Sequence, residues 1–158
     1  MSNHEKYSDP TADLAIGRAS LPKPVHYPRH GKYRHLQKGS VSVVYICSRF
    51  AGKDEEEVKE HILQARRFSR FAFYRQAVPV TPHLMYPQFL RDSVAMEREL
   101  GIRSGLKLLR RCDELWVFVV DGISSGMRRE IQEAKHRKIR VRYFNAELQE
   151  VKSYERDL

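Results

Sequence analysis

The stretch Leu115–Ala134, LWVFVVDGISSGMRREIQEA, limits the fold more than any other part of the chain. It opens with an apolar run, Leu115 to Val120, rich in β-branched and aromatic side chains. A run this short suits a strand buried on both faces better than a helix. Asp121-Gly122 breaks it. Ser124-Ser125-Gly126 then leads into a segment in which Met127, Ile131 and Ala134 share one helical face. A strand, a turn of small residues and a helix start form a ready anion site. The first helical N–H groups lack partners, and the helix dipole favours negative charge. Ser124 and Ser125 also suit an ordinary helix cap with no ligand involved. One acid, Glu130, follows about one turn into the helix. It reads either as a solvated carboxylate, with Arg128 and Arg129 as neighbouring surface charges, or as a reactive group beside an anion cradle.

The alternation continues on either side. Val41–Cys47 and Ile139–Phe144 read as strands, and Ala77–Thr81 as a shorter one that Pro79 assigns to a sheet edge. Asp54–Gln76 reads as a long helix, with acids Asp54 to Glu57 in its first turn and Arg66, Arg67 and Arg70 further along, as the dipole prefers. A second helix spans Asp92–Arg111, capped by Asp92 or Ser93. Gly101 and Gly105 lie on one face of it, which fits tight helix packing, approach of a ligand, or a helix pair across a dimer. Pro82–Pro87 reads as a loop, and residues 147–158 as a short helix or a charged tail. The order β-α-β-α-β-α-β implies a parallel sheet with helices on both faces, joined by right-handed crossovers. Ligands of such sheets bind at the C-terminal ends of the strands. That rule selects three loops, Ser48–Gly52, Thr81–Pro87 and Asp121–Gly126, and expects them to converge.

Composition separates this α/β domain, residues 39–158, from an arm over residues 1–38. The arm holds Pro10, Pro22, Pro24 and Pro28 and four of the seven histidines. Between Pro22 and Lys38 it carries five Lys/Arg and no acid, interleaved with Tyr27 and Tyr33. Such a segment is a solvated extension or strap, or else a contact for nucleic acid through phosphates and stacking. The net charge of +9 favours anionic ligands. No apolar run approaches the roughly 20 residues that span a bilayer, and the N-terminus has no secretory signal, so a membrane is not expected. Cys47 and Cys112 do not form a metal motif and suit reduced thiols in a cytoplasm. Dinucleotide, P-loop and Ser-His-Asp patterns are absent, and neither a metal nor a cofactor is expected.

Within the three loops, Ser48, Arg49 and Gly52 offer a hydroxyl, a guanidinium and a glycine that suit a phosphate or carboxylate. His83 stands at a strand's C-terminal end, a position for either a structural or a catalytic imidazole. Tyr45-Ile-Cys-Ser-Arg-Phe-Ala-Gly52, Pro82-His83, Cys112 to Val117, and Ser125-Gly-Met-Arg-Arg-Glu-Ile131 together resemble the nucleoside 2-deoxyribosyltransferase superfamily, which includes the 2'-deoxynucleoside 5'-phosphate N-hydrolases and many bacterial and phage relatives. The resemblance covers about residues 41–144. Its most specific piece is Ser-Gly-Met-x-x-Glu-Ile after a buried strand.

The resemblance implies a three-layer, flavodoxin-like parallel sheet of order 2-1-3-4, with room for a fifth strand. It implies Glu130 as the nucleophile that attacks the anomeric carbon. Tyr45, Ser48 and Arg49 would meet the sugar and its 5'-phosphate, and Ser125 and Gly126 the phosphate at the helix start. It also implies a homodimer or larger assembly. The implied activity is cleavage of the N-glycosidic bond of a nucleoside 5'-monophosphate, by hydrolysis or by transfer to another base. The chain departs from the family where Gly105 stands in place of an Asp, with Glu97 or Glu99 upstream as the available substitutes. That departure motivates the other reading, a non-catalytic protein that senses or sequesters a nucleotide.

Overall fold

A computed structural model describes residues 41–153. The arm, including its basic stretch 22–38, and residues 154–158 lie outside the described residues. Four parallel strands, β1 (Val43–Cys47), β2 (Val78–Val80), β3 (Glu114–Phe118) and β4 (Arg140–Phe144), and a short β5 (Glu150–Val151) form one sheet of order β2-β1-β3-β4-β5. The helices are α1 (Glu55–Tyr74), α2 (Pro82–Met85), α3 (Ala95–Leu109) and α4 (Ser125–His136). The expected α/β architecture and strand order are present.

The strands bury both faces, as their apolar runs require. On one side Tyr45, Cys47, Leu115 and Val117 pack with Leu109 of α3 and Met127, Ile131 and Ala134 of α4. On the other, Val44, Ile46, Trp116, Phe118 and Phe144 meet Phe68 and Ala72 of α1. Phe68 and Phe118 stack at 4.2 Å between centroids. Over the β4 end of that second face, Arg142 lays its guanidinium 4.8 Å above Trp116 and 5.4 Å above Phe144. It is held there by bonds of 2.8 and 2.6 Å to Glu150. The arginine's planar group thereby shields aromatic surface while its donors stay paired.

Local chemistry sets the helix ends. Asp54 accepts from the Glu57 N–H at 2.9 Å, and Glu57 accepts in return from the Lys53 N–H at 2.6 Å, a reciprocal cap. A Cβ on Gly52 would come within 2.8 Å of Glu57 Cβ and 2.9 Å of Val58 N, so this glycine lets the loop press onto the first turn of α1. Both α1 and α4 end in Schellman motifs. Gln76 (φ 61°) and Lys138 (φ 58°) adopt the left-handed conformation. Ala77 and Ile139 then bond back to Ala72 O and Ala134 O, at 3.1 and 2.9 Å.

Three local expectations are corrected. Residues 147–158 do not open as a helix or a free tail: Glu150–Val151 pairs antiparallel with β4, after a turn in which Asn145 Oδ1 accepts from the N–H groups of Glu147 and Gln149 at 3.1 and 2.8 Å. Pro82–Pro87 is not a loop but α2 followed by a 3-10 turn, Tyr86–Gln88, since a proline suits the first helical positions. Neither Asp92 nor Ser93 caps α3, which starts at Ala95 with Val94 in the cap position and no side-chain cap. Instead Glu97 reaches back to the Arg91 N–H at 2.5 Å and to its guanidinium at 2.6 Å. Among the described residues, no helix is long and apolar enough to cross a membrane.

Candidate active site

At the C-terminal ends of β1 and β3 lies a cavity of about 320 Å³. The three loops selected by the sequence converge on it. Ser48, Phe50 and Ala51 come from the first, Pro82, His83, Tyr86 and Pro87 from the second, and Ser124, Ser125 and Gly126 from the third. α3 closes the remaining side with Arg98, Gly101, Ile102, Gly105 and Leu106.

Glu130 enters from the second turn of α4. Its Oε1 accepts a 2.7 Å bond from the Tyr45 hydroxyl. Its Oε2 is buried and has no partner. Burial pushes the Glu130 pKa up to about 7, while the nearby Cys47 thiol and the hydrogen-bonded Tyr45 hydroxyl pull it back. Burial and the nearby carboxylate hold both of those groups well above their ordinary pKa values, so both remain protonated. Tyr45 and Cys47 are two apart on β1, which turns both toward α4. Gly105 completes the arrangement, since a Cβ there would stand 2.9 Å from the Tyr45 hydroxyl oxygen, so the glycine makes room for this phenol. Gly101 has only an ordinary contact, Leu90 Cδ1 at 3.6 Å from a built Cβ.

Two further residues of the lining bury a polar atom without a partner, Ser48 its Oγ and His83 its Nε2. Ser48 is only 3% exposed. The His83 ring stacks on Phe50 at 5.3 Å and 9°. Burial lowers its pKa to about 4, against the opposing pull of a hydrogen bond to the Ser48 backbone and the charge of Asp92. His83 is therefore a neutral imidazole at pH 7. With the other ring nitrogen bonded to backbone, its free nitrogen offers a lone pair. His61, which the sequence did not single out, is buried behind it, with Nδ1 3.0 Å from Phe50 O.

Ser124 caps α4, accepting from Met127 N at 3.3 Å, and Ser125 and Gly126 stand exposed at the cavity mouth. The other predicted residues lie elsewhere. Gly52 serves the start of α1. Arg49 does not line the cavity; its Nη2 donates to the Asp121 carbonyl at 2.7 Å, which ties the first loop to the third. Gly122, at φ 77°, turns the chain immediately after that carbonyl. Glu97 lines the cavity but is bound to Arg91, and Glu99 pairs with Arg129 at 3.9 Å. The cationic groups in the lining are Arg98 and Arg129. In the sequence Arg129 reads as a surface charge, although its place beside Glu130 and one turn after Ser125 is a usable signal. Among the described residues, no three His, Cys, Asp or Glu side chains gather as a metal site requires.

The fold is similar to that of a solved 2-deoxyribosyltransferase from the psychrotolerant bacterium Bacillus psychrosaccharolyticus, with a TM-score of 0.52 and 15% identity, over 72% of this chain and 79% of that one. The chain thus has a nucleoside 2-deoxyribosyltransferase-like fold. No curated protein matches it. A family model matches residues 42–144, and by that match the chain belongs to the family described as a domain of unknown function, DUF7768.

Proposed function

We propose that this protein cleaves the N-glycosidic bond of a nucleoside 5'-monophosphate, with Glu130 as nucleophile. The observation that carries the reading is Glu130 in the cavity lining, with Oε1 held by Tyr45 and a buried Oε2 that no hydrogen bond holds. Oε2 attacks C1' as the C1'–N bond breaks. The bonding pair leaves with the base, which takes up a proton from solvent. The resulting glycosyl ester is opened by water, giving the sugar 5-phosphate, or by a second base, giving a new nucleotide. The phosphate meets the α4 N-terminus at Ser124, Ser125 and Gly126, with Arg129 beside it. Ser48 Oγ and the His83 lone pair hold sugar hydroxyls, and Phe50 and Tyr86 flank the base. Arg49 acts indirectly in this reading, by fixing the third loop through Asp121.

The similarity of fold to a protein described as a biocatalyst for nucleoside synthesis supports the reaction class. The exposed Met85, Phe89, Met96 and Leu100, on and between the elements that wall the cavity, suit burial against a second copy of the chain. Incubation with a panel of nucleoside monophosphates and nucleosides, with free base as the readout, tests the proposal.

One observation favours a second reading, a nucleotide-binding protein without turnover. A Glu130 pKa of about 7 leaves much of the carboxyl protonated at neutral pH. Tight binding with no base released over hours selects that reading.

A further inference from the structure

We infer that the pole of the domain opposite the cavity is a binding surface for single-stranded nucleic acid. The strands run parallel, so the C-terminal ends of α3 and α4 and the starts of β1, β3 and β4 share that pole, as the pairings Val44↔Glu114 and Glu114↔Arg140 require. α3 ends there with Lys107, Arg110 and Arg111, α4 with Lys135, Arg137 and Lys138, and β4 begins with Arg140, every one of them exposed.

The acids of this pole are already engaged. Asp113 accepts from Val43 N at 2.7 Å, Glu114 from Trp116 Nε1 at 2.6 Å and Arg140 at 3.4 Å, and Glu133 from Arg110 and Arg137 at 2.5 and 3.0 Å. Lys107, Arg111, Lys135 and Lys138 are left with no ion pair among the described residues. Basic residues at a helix C-terminus are ordinary for one helix, because they offset its dipole. Here two helix ends and a strand start place theirs side by side, and the sum is a cationic face.

The same pole also carries aromatic surface. Phe73, near the end of α1, is 68% exposed, and its ring meets Tyr74 edge-on at 6.3 Å. Arg70 covers the Tyr74 ring at 5.3 Å. A cationic face and an exposed ring at one pole match the backbone and the unstacked bases of a single strand, where each base has a face to stack. An anionic bilayer would accept both the charge and the ring, so binding to vesicles alone counts against the inference.

Fluorescence anisotropy on the full chain tests this, using labelled oligothymidylate, a duplex of equal length and phosphatidylserine vesicles across a salt series. Combined Lys107→Gln, Arg111→Gln, Lys135→Gln and Lys138→Gln should weaken oligothymidylate binding at least tenfold. It should also lower the salt slope by about 3, since each phosphate no longer neutralised removes roughly 0.7 from it. Phe73→Ala, at an exposed site that does not endanger folding, should weaken the single strand several-fold and spare the duplex. Parental affinity and slope in the fourfold variant, an equal effect of Phe73→Ala on both oligonucleotides, or binding to vesicles but not to oligothymidylate would each overturn the inference.

Discussion

At the scale of single residues, Glu130 meets opposed demands. A nucleophile must be ionised, yet burial raises its pKa to about 7. Because the folded pKa lies above the ordinary carboxylate value, the native state holds the extra proton between those two values. Stability therefore falls as pH rises from about 4.5 to 7, by at most about 3 kcal/mol. Glu130→Gln removes that cost, so its melting temperature should exceed the parent's at pH 8 and match it near pH 4.5. An equal difference at both pH values would refute the buried charge. Activity should move oppositely: base release should climb with pH through about 7, and Glu130→Gln should lose several orders of magnitude in rate while substrate affinity changes little. His83, with its pKa lowered to about 4, favours the folded state above about 6.5 and withdraws that support as pH falls toward 4, so the Glu130 effect is cleanest as a difference between variant and parent. Arg49→Ala should weaken binding of a nucleoside and of its 5'-phosphate alike, through loss of the Asp121 tie. A selective loss for the phosphate would put the guanidinium on the phosphate instead. Glu130 was legible because helix periodicity set it one turn past Gly126. The role of Arg49 was not: its partner is a backbone carbonyl 72 residues away, and no side-chain pattern marks a carbonyl.

At the scale of elements, apolar runs and helical periodicity defined β1, β3, β4, α1 and α4, since each is shaped by its own buried face. The start of α3 escaped because its tie, Glu97 to Arg91, runs backward from inside the helix. The fifth strand was allowed only by the resemblance, because two residues held by an Asn145 turn give no periodic signal of their own. The Schellman ends supply an element-level prediction. Lys138→Gly should relieve the left-handed strain at φ 58° and stabilise by about 0.5–1 kcal/mol, a rise of roughly 2–4 °C or less in Tm. An unchanged or lower Tm would show that Lys138 has compensating contacts. Gly105→Ala runs the other way: its methyl would crowd the Tyr45 hydroxyl, so Glu130 should lose its donor and titrate at higher pH, which carbon-13 NMR of its carboxyl can follow.

At the scale of the whole molecule, strand order and the convergence of three loops were legible because connection rules leave few arrangements for alternating strands and helices. The antiparallel closure beyond β4 was not, since it depends on Arg142 and Glu150 meeting across a turn. β2 forms the other margin of the sheet. Its Val78 N–H is spent on Ser42 O at 2.9 Å, and Pro79 follows. Successive N–H groups point to opposite sides of a strand, so the one that Pro79 lacks is the one that would have faced outward. Without it, a foreign strand laid along β2 finds no central donor to register against. The proline thereby keeps identical molecules from stitching together at high concentration. Pro79→Val should leave the cavity and Tm little changed, yet raise light scattering steeply with protein concentration, as colloidal behaviour comes to hinge on one restored amide.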